Sequence, residues 1–264
     1  MSELEATPPA DFTEEQMTLL GHLNELRIRL TWAAGSVFLT TILSFAFAEP
    51  LLRFLLTPYS NSQPDGAAEL QTLRPTEGIE TFFKVSLMAG AIIAMPIILY
   101  QVWLFISPGL TKQEKRYVYI FLPSALVLFL LGILFAWFVL APAAIFFLAN
   151  FLPETFKTDW TGQEYIGFIT RMVFWLGVSF EMPVIVYFIA RVGLVSANAL
   201  REQWRIAVVA VSIIAAVITP SIDPVTMLLT MAPLLVLYAM SILLARVGQR
   251  QFESNMTLEQ ESAA

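Results

Sequence analysis

Segment 165–191 constrains the fold of this chain more than any other. Its residues 166–189 are apolar and long enough to cross a bilayer as one helix, yet Glu181 lies near the middle. A carboxylate inside the hydrocarbon layer costs several kcal/mol. Gly177 lets a neighbouring helix approach closely, and Pro183 predicts a bend because it lacks a backbone N–H. The pattern favours a water-accessible cavity with an acidic floor over the alternative, a structural carboxyl group bonded to another helix.

The composition places the whole chain in a membrane. Of 264 residues, 57% are hydrophobic and 14% are charged, which is more apolar surface than a soluble domain of this length can bury. The formal charge of −6 argues against nucleic acid as a partner, and the lack of cysteine excludes disulfides and thiolate metal sites. We therefore predict an all-α integral membrane protein with several spans.

The apolar segments predict six transmembrane helices, the last two of them short. An amphipathic N-terminal helix and loop caps on one membrane face complete the predicted bundle. A flexible tail (1–17), one membrane domain (18–246) and a polar C-terminal tail (247–264) are the predicted units. The predicted spans are 31–47, 82–105, one from residue 117 that Pro142 ends, 165–191, 206–218 and 225–245.

Two of these spans have unusual lengths. The third apolar run continues to residue 152, so we expect 143–151 to fold over one membrane face as a cap after Pro142 breaks the helix. The fifth span has 13 residues, which at ~1.5 Å per residue covers only ~20 Å of a ~30 Å hydrocarbon core. The turn 219–224 is therefore expected below the usual membrane surface, with local thinning of the bilayer.

The distribution of basic residues orients the spans. The N-terminal segment, two connectors and the C-terminal tail hold ten Lys and Arg residues, whereas the opposite loops and nearby helix ends hold five. The positive-inside rule then puts both termini in the cytoplasm.

An enzyme is not expected. The single histidine, His22, precedes the first span, and the four aspartates lie in loops or turns, so the residue sets of intramembrane proteases are missing. No metal site and no cofactor are predicted. Carboxylates on the cytoplasmic side, at Glu25 and Glu114, remain as candidate receptors for guanidinium groups, which they can hold bidentately.

Four motifs, in order and at matching topological places, resemble the TatC family, the multi-spanning core of the twin-arginine protein translocase. They are HLNELRIRL (22–30), SPGLTKQEKR (107–116), FEMP (180–183) and TPSIDP (219–224). The sequence differs from the family pattern at Ala239, where many relatives carry glutamate, and at Met227, where glutamine is common.

The resemblance implies a concave, cupped bundle with its loop caps on the periplasmic face, which acts as a receptor for twin-arginine signal peptides. Such a receptor works with single-span TatA-type and TatB-type subunits in a homo-oligomeric complex in the bacterial inner membrane. It exports folded proteins with the proton motive force. The implied signal-peptide site comprises Glu25, Arg27, Phe105, Pro108 and Glu114. The implied intramembrane cavity and partner contacts comprise Glu181, Pro183, Thr219, Pro220, Asp223 and Met227.

A rival hypothesis is a proton-coupled transporter of small solutes with Glu181 as proton carrier. Such transporters usually have repeated halves and helices broken at matching positions, and neither is visible in this sequence.

Overall fold

A computed structural model describes residues 14–61, 70–106, 118–151, 160–219 and 223–263. Within these ranges the chain is helical, apart from short turns and an isolated β-bridge between Gln71 and Thr161. The helices are α1 (Glu14–Phe45), α2 (Ala48–Leu55), α3 (Thr57–Ser60), α4 (Glu77–Ile106), α5 (Val118–Phe135), α6 (Ala141–Ala149), α7 (Gly162–Ser179), α8 (Met182–Arg191), α9 (Ala197–Glu202), α10 (Trp204–Ile218) and α11 (Pro224–Ala263).

Five helical segments among the described residues have the length and apolar composition of membrane spans, and a sixth apolar helix is shorter. The five are Gly21–Phe45, Glu77–Phe105, Leu122–Ala149, Gly162–Arg191 and Pro224–Ser254, and the shorter one is Trp204–Ile218. This confirms the predicted all-α membrane protein with six spans. The 15 residues of α10 extend ~22 Å, so the fifth span is short, as predicted.

Two membrane faces are named here for residues that lie at them. The Glu77 face is the one at which α4 and α7 begin, and the Glu25 face is the one at which α1 begins and α4 and α8 end. Span α1 is one uninterrupted helix from Glu14, so the predicted amphipathic helix runs into the first span without a break. Residues 1–13 of the predicted flexible tail lie outside the described ranges.

The prediction that Pro142 ends the third span is wrong. A single π-helical turn, Ala136–Leu140, follows α5, and Pro142 occupies the first turn of α6, which continues to Ala149. A proline in the first turn of a helix costs little stability, because the N–H groups of that turn have no partner within the helix. The wider turn therefore absorbs the proline, and the segment predicted as a cap is a continuation of the helix.

The prediction that the last two helices are both short holds for α10 and is wrong for α11. The 40 residues of α11 run through the apolar span and on through the segment predicted as a polar tail. Hydrogen bonds to two glutamines hold this extension to its neighbours. Gln249 Oε1 accepts a hydrogen bond from Ala197 N at 3.1 Å, and Gln251 Oε1 accepts one from Arg191 at 2.8 Å.

Helix α7 is the centre of the packing. Its side chains at Tyr165, Ile169 and Met172 are almost completely buried among α4, α5 and α10. The Tyr165 hydroxyl donates a 2.9 Å hydrogen bond to the carbonyl of Leu55, which ties the start of the fourth span to α2. The segment that the sequence marked as decisive is therefore also the core of the fold.

A close crossing joins α1 to α4. The Thr40 hydroxyl donates a 2.7 Å hydrogen bond to the carbonyl of Gly90, and a β-carbon at Gly90 would lie 2.4–2.6 Å from atoms of Thr41. Small residues at such crossings let backbones approach and gain dispersion energy that lipid cannot supply.

Candidate functional site

Glu181 lies at the break in the fourth span. Pro183 has no N–H to donate to the carbonyl of Ser179, and its ring would collide with that carbonyl in a continuous helix. Helix α7 therefore ends at Ser179 and α8 begins at Met182, where the Glu181 carbonyl accepts from Ile185 N at 3.0 Å. The predicted bend at Pro183 is thus a two-residue interruption, in which Phe180 and Glu181 keep right-handed helical dihedrals.

The Glu181 side chain borders an otherwise apolar cavity between α4, α5 and α8. The residue is only 2% exposed, and among the described residues no group hydrogen-bonds its buried Oε1. The cavity has a volume of about 110 Å³, enough for several water molecules. Its lining consists of Leu99, Val102, Trp103, Leu122, Ala125, Glu181, Val184, Ile185, Phe188 and Ile189.

Gly177 has the packing role expected of it. A β-carbon there would lie 3.0 Å from atoms of Phe129 and Ile133 on α5. Gly132, also on α5, packs closely against Gly177, since its own β-carbon would lie 2.9 Å from the Gly177 α-carbon. The space beside Gly177 is thus filled by α5, so this glycine does not open the room near Glu181.

The structure brings Glu25 and Phe105 to the same end of the molecule. His22, one helical turn before Glu25, stacks on Phe105 with ring centroids 4.4 Å apart and planes 21° apart. This contact joins the start of α1 to the end of α4, two segments about 80 residues apart in the sequence. Two other predicted members of this site, Pro108 and Glu114, lie outside the described residues.

Glu25 is half-buried and already holds a guanidinium group. Its Oε1 lies 2.5 Å from Arg29, one turn further along α1. Arg27 lies on a different side of the helix, where it donates a 2.8 Å hydrogen bond to Asn24 and is exposed. The motif on α1 therefore places Glu25 and Arg29 together and turns Arg27 away from them.

The turn between α10 and α11 is organised by Asp223. One of its carboxylate oxygens accepts a 2.7 Å hydrogen bond from Thr226 N, and the other accepts the Thr226 hydroxyl, which caps the start of α11. Thr219 is buried and its hydroxyl bonds back to Ala215 O at 2.8 Å. Met227 packs against the main core, and Pro220 lies outside the described residues.

This turn is remote from Glu181. Helix α11 meets α8 at Gly248, where an added β-carbon would lie 2.7 Å from the Tyr187 carbonyl oxygen. At ~1.5 Å per residue, Met227 lies ~31 Å from Gly248 along the axis of α11. Along the fourth span, Glu181 lies only ~9 Å from Tyr187. The residues that the sequence grouped as one intramembrane site therefore form two sites at different depths.

Comparison with known proteins identifies the chain. Residues 21–233 match the family described as "Sec-independent protein translocase protein (TatC)". A Helicobacter pylori protein of that name is 37% identical over 226 residues, which are 86% of each chain. A solved structure, "Crystal Structure of Twin Arginine Translocase Receptor- TatC", superposes with a TM-score of 0.79 at 36% identity over 86% of this chain and 99% of that one. The chain belongs to the TatC family.

Other relatives are consistent with this assignment. A Deinococcus radiodurans TatC protein is 34% identical over 231 residues, which cover 87% of this chain and 86% of that protein. TatC proteins are components of a protein translocase and not enzymes, and they cross the membrane several times. Membership in the family disfavours the solute-transporter hypothesis.

Two polar residues of this TatC chain escaped the sequence analysis. Arg191, the last residue of the predicted fourth span, is buried in the last turn of α8 and donates to the Tyr187 hydroxyl at 3.1 Å as well as to Gln251. Because Gln251 lies 60 residues further along the chain, no local sequence pattern predicts that it bonds to Arg191.

Glu77 is the second such residue. It is only 2% exposed, and its carboxylate accepts backbone hydrogen bonds from Leu73 at 2.9 Å, Arg74 at 3.4 Å and Gln163 at 2.9 Å. It thereby ties the start of α4 to the start of α7 on the Glu77 face. The sequence shows a glutamate at the start of a helix, where a negative charge is favourable, but it does not show that this glutamate bonds to α7.

Proposed function

We propose that this TatC chain is the receptor subunit that binds the consecutive arginines of twin-arginine signal peptides at the Glu25 face. The observation that carries the proposal is the His22–Phe105 stack, which gathers Glu25 and Phe105 at one end of the bundle. A carboxylate beside an aromatic ring suits a guanidinium group, which pairs with the carboxylate and stacks on the ring. Glu114 and Pro108, in the connector that follows α4, are expected to complete this site, and Arg27 to flank it.

The Glu25–Arg29 pair supports this role, because it offers a weak internal partner that a ligand can replace. An exposed or half-exposed ion pair one turn apart on a helix contributes only ~0.3–0.5 kcal/mol. A well-formed charge-assisted contact from a bound arginine contributes ~1.5–3 kcal/mol. An incoming arginine therefore gains more from Glu25 than Arg29 loses.

Peptide binding to the purified chain tests the proposal. Glu25→Gln should weaken an Arg-Arg signal peptide by roughly tenfold or more, and a Lys-Lys peptide far less, since lysine cannot form the bidentate contact. Glu49→Gln is the matched control, because Glu49 also pairs with an arginine one turn away, Arg53 at 2.7 Å, but on the other face. If Glu25→Gln lowered the affinity for both peptides equally, Glu25 would act only as a diffuse charge, and specific recognition of arginine would be refuted.

We further propose that both termini, including 1–17 and 247–264, are cytoplasmic in a bacterial inner membrane. The ten-to-five distribution of basic residues supports this orientation. The receptor would act with TatA-type and TatB-type single-span subunits in a homo-oligomeric complex that exports folded cargo with the proton motive force. Reporters fused after Asp65 and Asp159 should be external and one at the C-terminus internal; an external C-terminus would overturn the topology.

Glu181 is proposed to serve a step after signal-peptide binding. Its unpartnered oxygen at an apolar cavity supports a role in which a partner helix or the inserted signal peptide donates a hydrogen bond there. Glu181→Ala should leave peptide binding intact and abolish transport, whereas Glu181→Gln should retain transport because its amide still accepts a hydrogen bond. If Gln fails like Ala, ionisation of the carboxyl group is required. Full transport by the Ala variant would mean that the cavity has no such role.

A further inference from the structure

A second groove, separate from the Glu181 cavity, lies between α4 and α7. It has a volume of about 540 Å³. One wall is a stripe of α4 at helical spacing, and the other is a stripe of α7. The lining residues are Lys84, Leu87, Met88 and Ala91 on α4, and Gly167, Thr170, Arg171, Phe174 and Trp175 on α7.

Two cations share one end of this groove. A β-carbon placed on Gly167 would lie 3.7 Å from a terminal nitrogen of Arg171 and 3.9 Å from Lys84 Nζ. The Arg171 Nε is held by the Gly167 carbonyl at 2.9 Å, and neither Lys84 nor Arg171 has an ion-pair partner among the described residues. Two neighbouring positive charges repel one another, and an anion between them would relieve that repulsion.

The depth of these cations matches that of lipid head groups. Helix α4 has 30 residues and is ~45 Å long, so each end extends ~7 Å beyond a ~30 Å hydrocarbon core. Lys84 lies seven residues from its start, or ~10 Å, close to the boundary of the core on the Glu77 face. Helical side chains lean towards the N-terminus of their helix, so Lys84 and Arg171 both lean towards that face.

Polarity changes along the groove in the order that suits an anionic phospholipid, from a charged end to apolar walls. The cationic end lies towards the Glu77 face, and the walls become apolar towards the membrane centre, at Ala91 on α4 and at Phe174 and Trp175 on α7. Leu87 is 55% exposed and Trp175 45%, so the groove is open to the bilayer. We propose that it binds one anionic phospholipid, with its phosphate between Lys84 and Arg171 and an acyl chain along Trp175.

Charge and position together favour a lipid over a partner helix. The groove offers two positive charges at one depth, which matches one phosphodiester, and an apolar continuation of the kind an acyl chain fills. No carboxylate lines it, so nothing there favours the ammonium or choline group of a zwitterionic lipid. The proposal is independent of the function proposed for the Glu25 face.

Quenching of Trp175 fluorescence by brominated lipids tests this. The full chain in neutral detergent is titrated with phosphatidylglycerol or phosphatidylcholine brominated in the acyl chains, and the signal of Trp175→Phe is subtracted. Phosphatidylglycerol should quench at a concentration roughly tenfold lower. A double variant, Lys84→Gln with Arg171→Gln, should remove that preference. Arg53→Gln with Arg74→Gln, which neutralises two exposed cations, should keep it.

Gly167 offers a second pair of variants that retains both cations. Gly167→Ala fits at ordinary contact distance and should bind lipid as the unmodified chain does. Gly167→Asp places a carboxylate between Lys84 and Arg171 and should abolish the preference for phosphatidylglycerol.

Four results would overturn the proposal. They are equal binding of the two lipids, a preference that survives in the Lys84/Arg171 variant or in Gly167→Asp, no quenching by either lipid, and displacement of phosphatidylglycerol by inorganic phosphate at matched ionic strength. Absence of quenching by either lipid would indicate that the groove binds a partner helix. Displacement by inorganic phosphate would indicate that it binds a free anion. Elution volume and thermal unfolding of each variant show whether it is folded.

Discussion

Replacing Glu77 should destabilise the bundle more than its place near the membrane surface indicates. One carboxylate oxygen accepts from Gln163 N at 2.9 Å, and the other accepts from Leu73 N at 2.9 Å and Arg74 N at 3.4 Å. In Glu77→Gln one oxygen becomes an NH₂ group, so at least one set of buried backbone donors faces another donor. An unsatisfied buried group costs ~1–3 kcal/mol, and the lost charge weakens the remaining contact.

We therefore expect Glu77→Gln to lower the free energy of unfolding by about 2–4 kcal/mol. For a chain of this size ~3 kcal/mol corresponds to a decrease of ~6–12 °C in the unfolding temperature, measured by tryptophan fluorescence in detergent. Glu80→Gln is the control, because Glu80 is less buried than Glu77 and accepts from the side chain of Gln163 at 2.9 Å rather than from the backbone. It should lose less than about 1 kcal/mol. If both variants unfold at the same temperature, the junction at Glu77 does not stabilise the fold.

Two further variants test other contacts. Gly90→Ala should lower the unfolding temperature, because the new β-carbon would lie 2.4–2.6 Å from Thr41 and overpacking costs ~1–3 kcal/mol. Gly35→Ala is the control and should not lower the unfolding temperature, because nothing lies within 4 Å of its β-carbon. If Gly90→Ala left the unfolding temperature unchanged, the close crossing of α1 and α4 would be contradicted. Arg29→Gln should raise the affinity for an Arg-Arg peptide by about twofold, since it removes the ~0.3–0.5 kcal/mol competitor of Glu25, and a weakened affinity would contradict this competition.

The sequence predicted the features that depend on local composition. Apolar length located every span, and the missing N–H of Pro183 predicted the interruption beside Glu181. The same argument failed at Pro142, because one π turn shifted that proline into the first turn of α6. Proline marks where a helical hydrogen bond is lost, but the surrounding turns decide whether the helix ends there.

Features that depend on distant partners were not predictable. The polar end of α11 stays attached to its neighbours because Gln249 and Gln251 bond to residues more than 50 positions away. The same holds for the candidate site, since the contact between His22 and Phe105 brings together residues about 80 positions apart. A single sequence, read without an alignment, shows residue types and spacing but not which faces meet across the bundle.

The charges within the membrane divide into those with internal partners and those without. Arg191 is buried, and its guanidinium group donates hydrogen bonds to Tyr187 and Gln251. Among the described residues, the Glu181 oxygen has no partner, and Lys84 and Arg171 have no counter-ion. An ionised carboxylate at the depth of Glu181 costs several kcal/mol unless something compensates it, and Lys84 and Arg171, near the boundary of the hydrocarbon core, lie close enough to repel one another. Both uncompensated sites border α4, one where it meets α7 and one where it meets α8. We therefore expect the partner helix proposed for Glu181 and the lipid proposed for the groove of Lys84 and Arg171 to bind on the side of the bundle along α4.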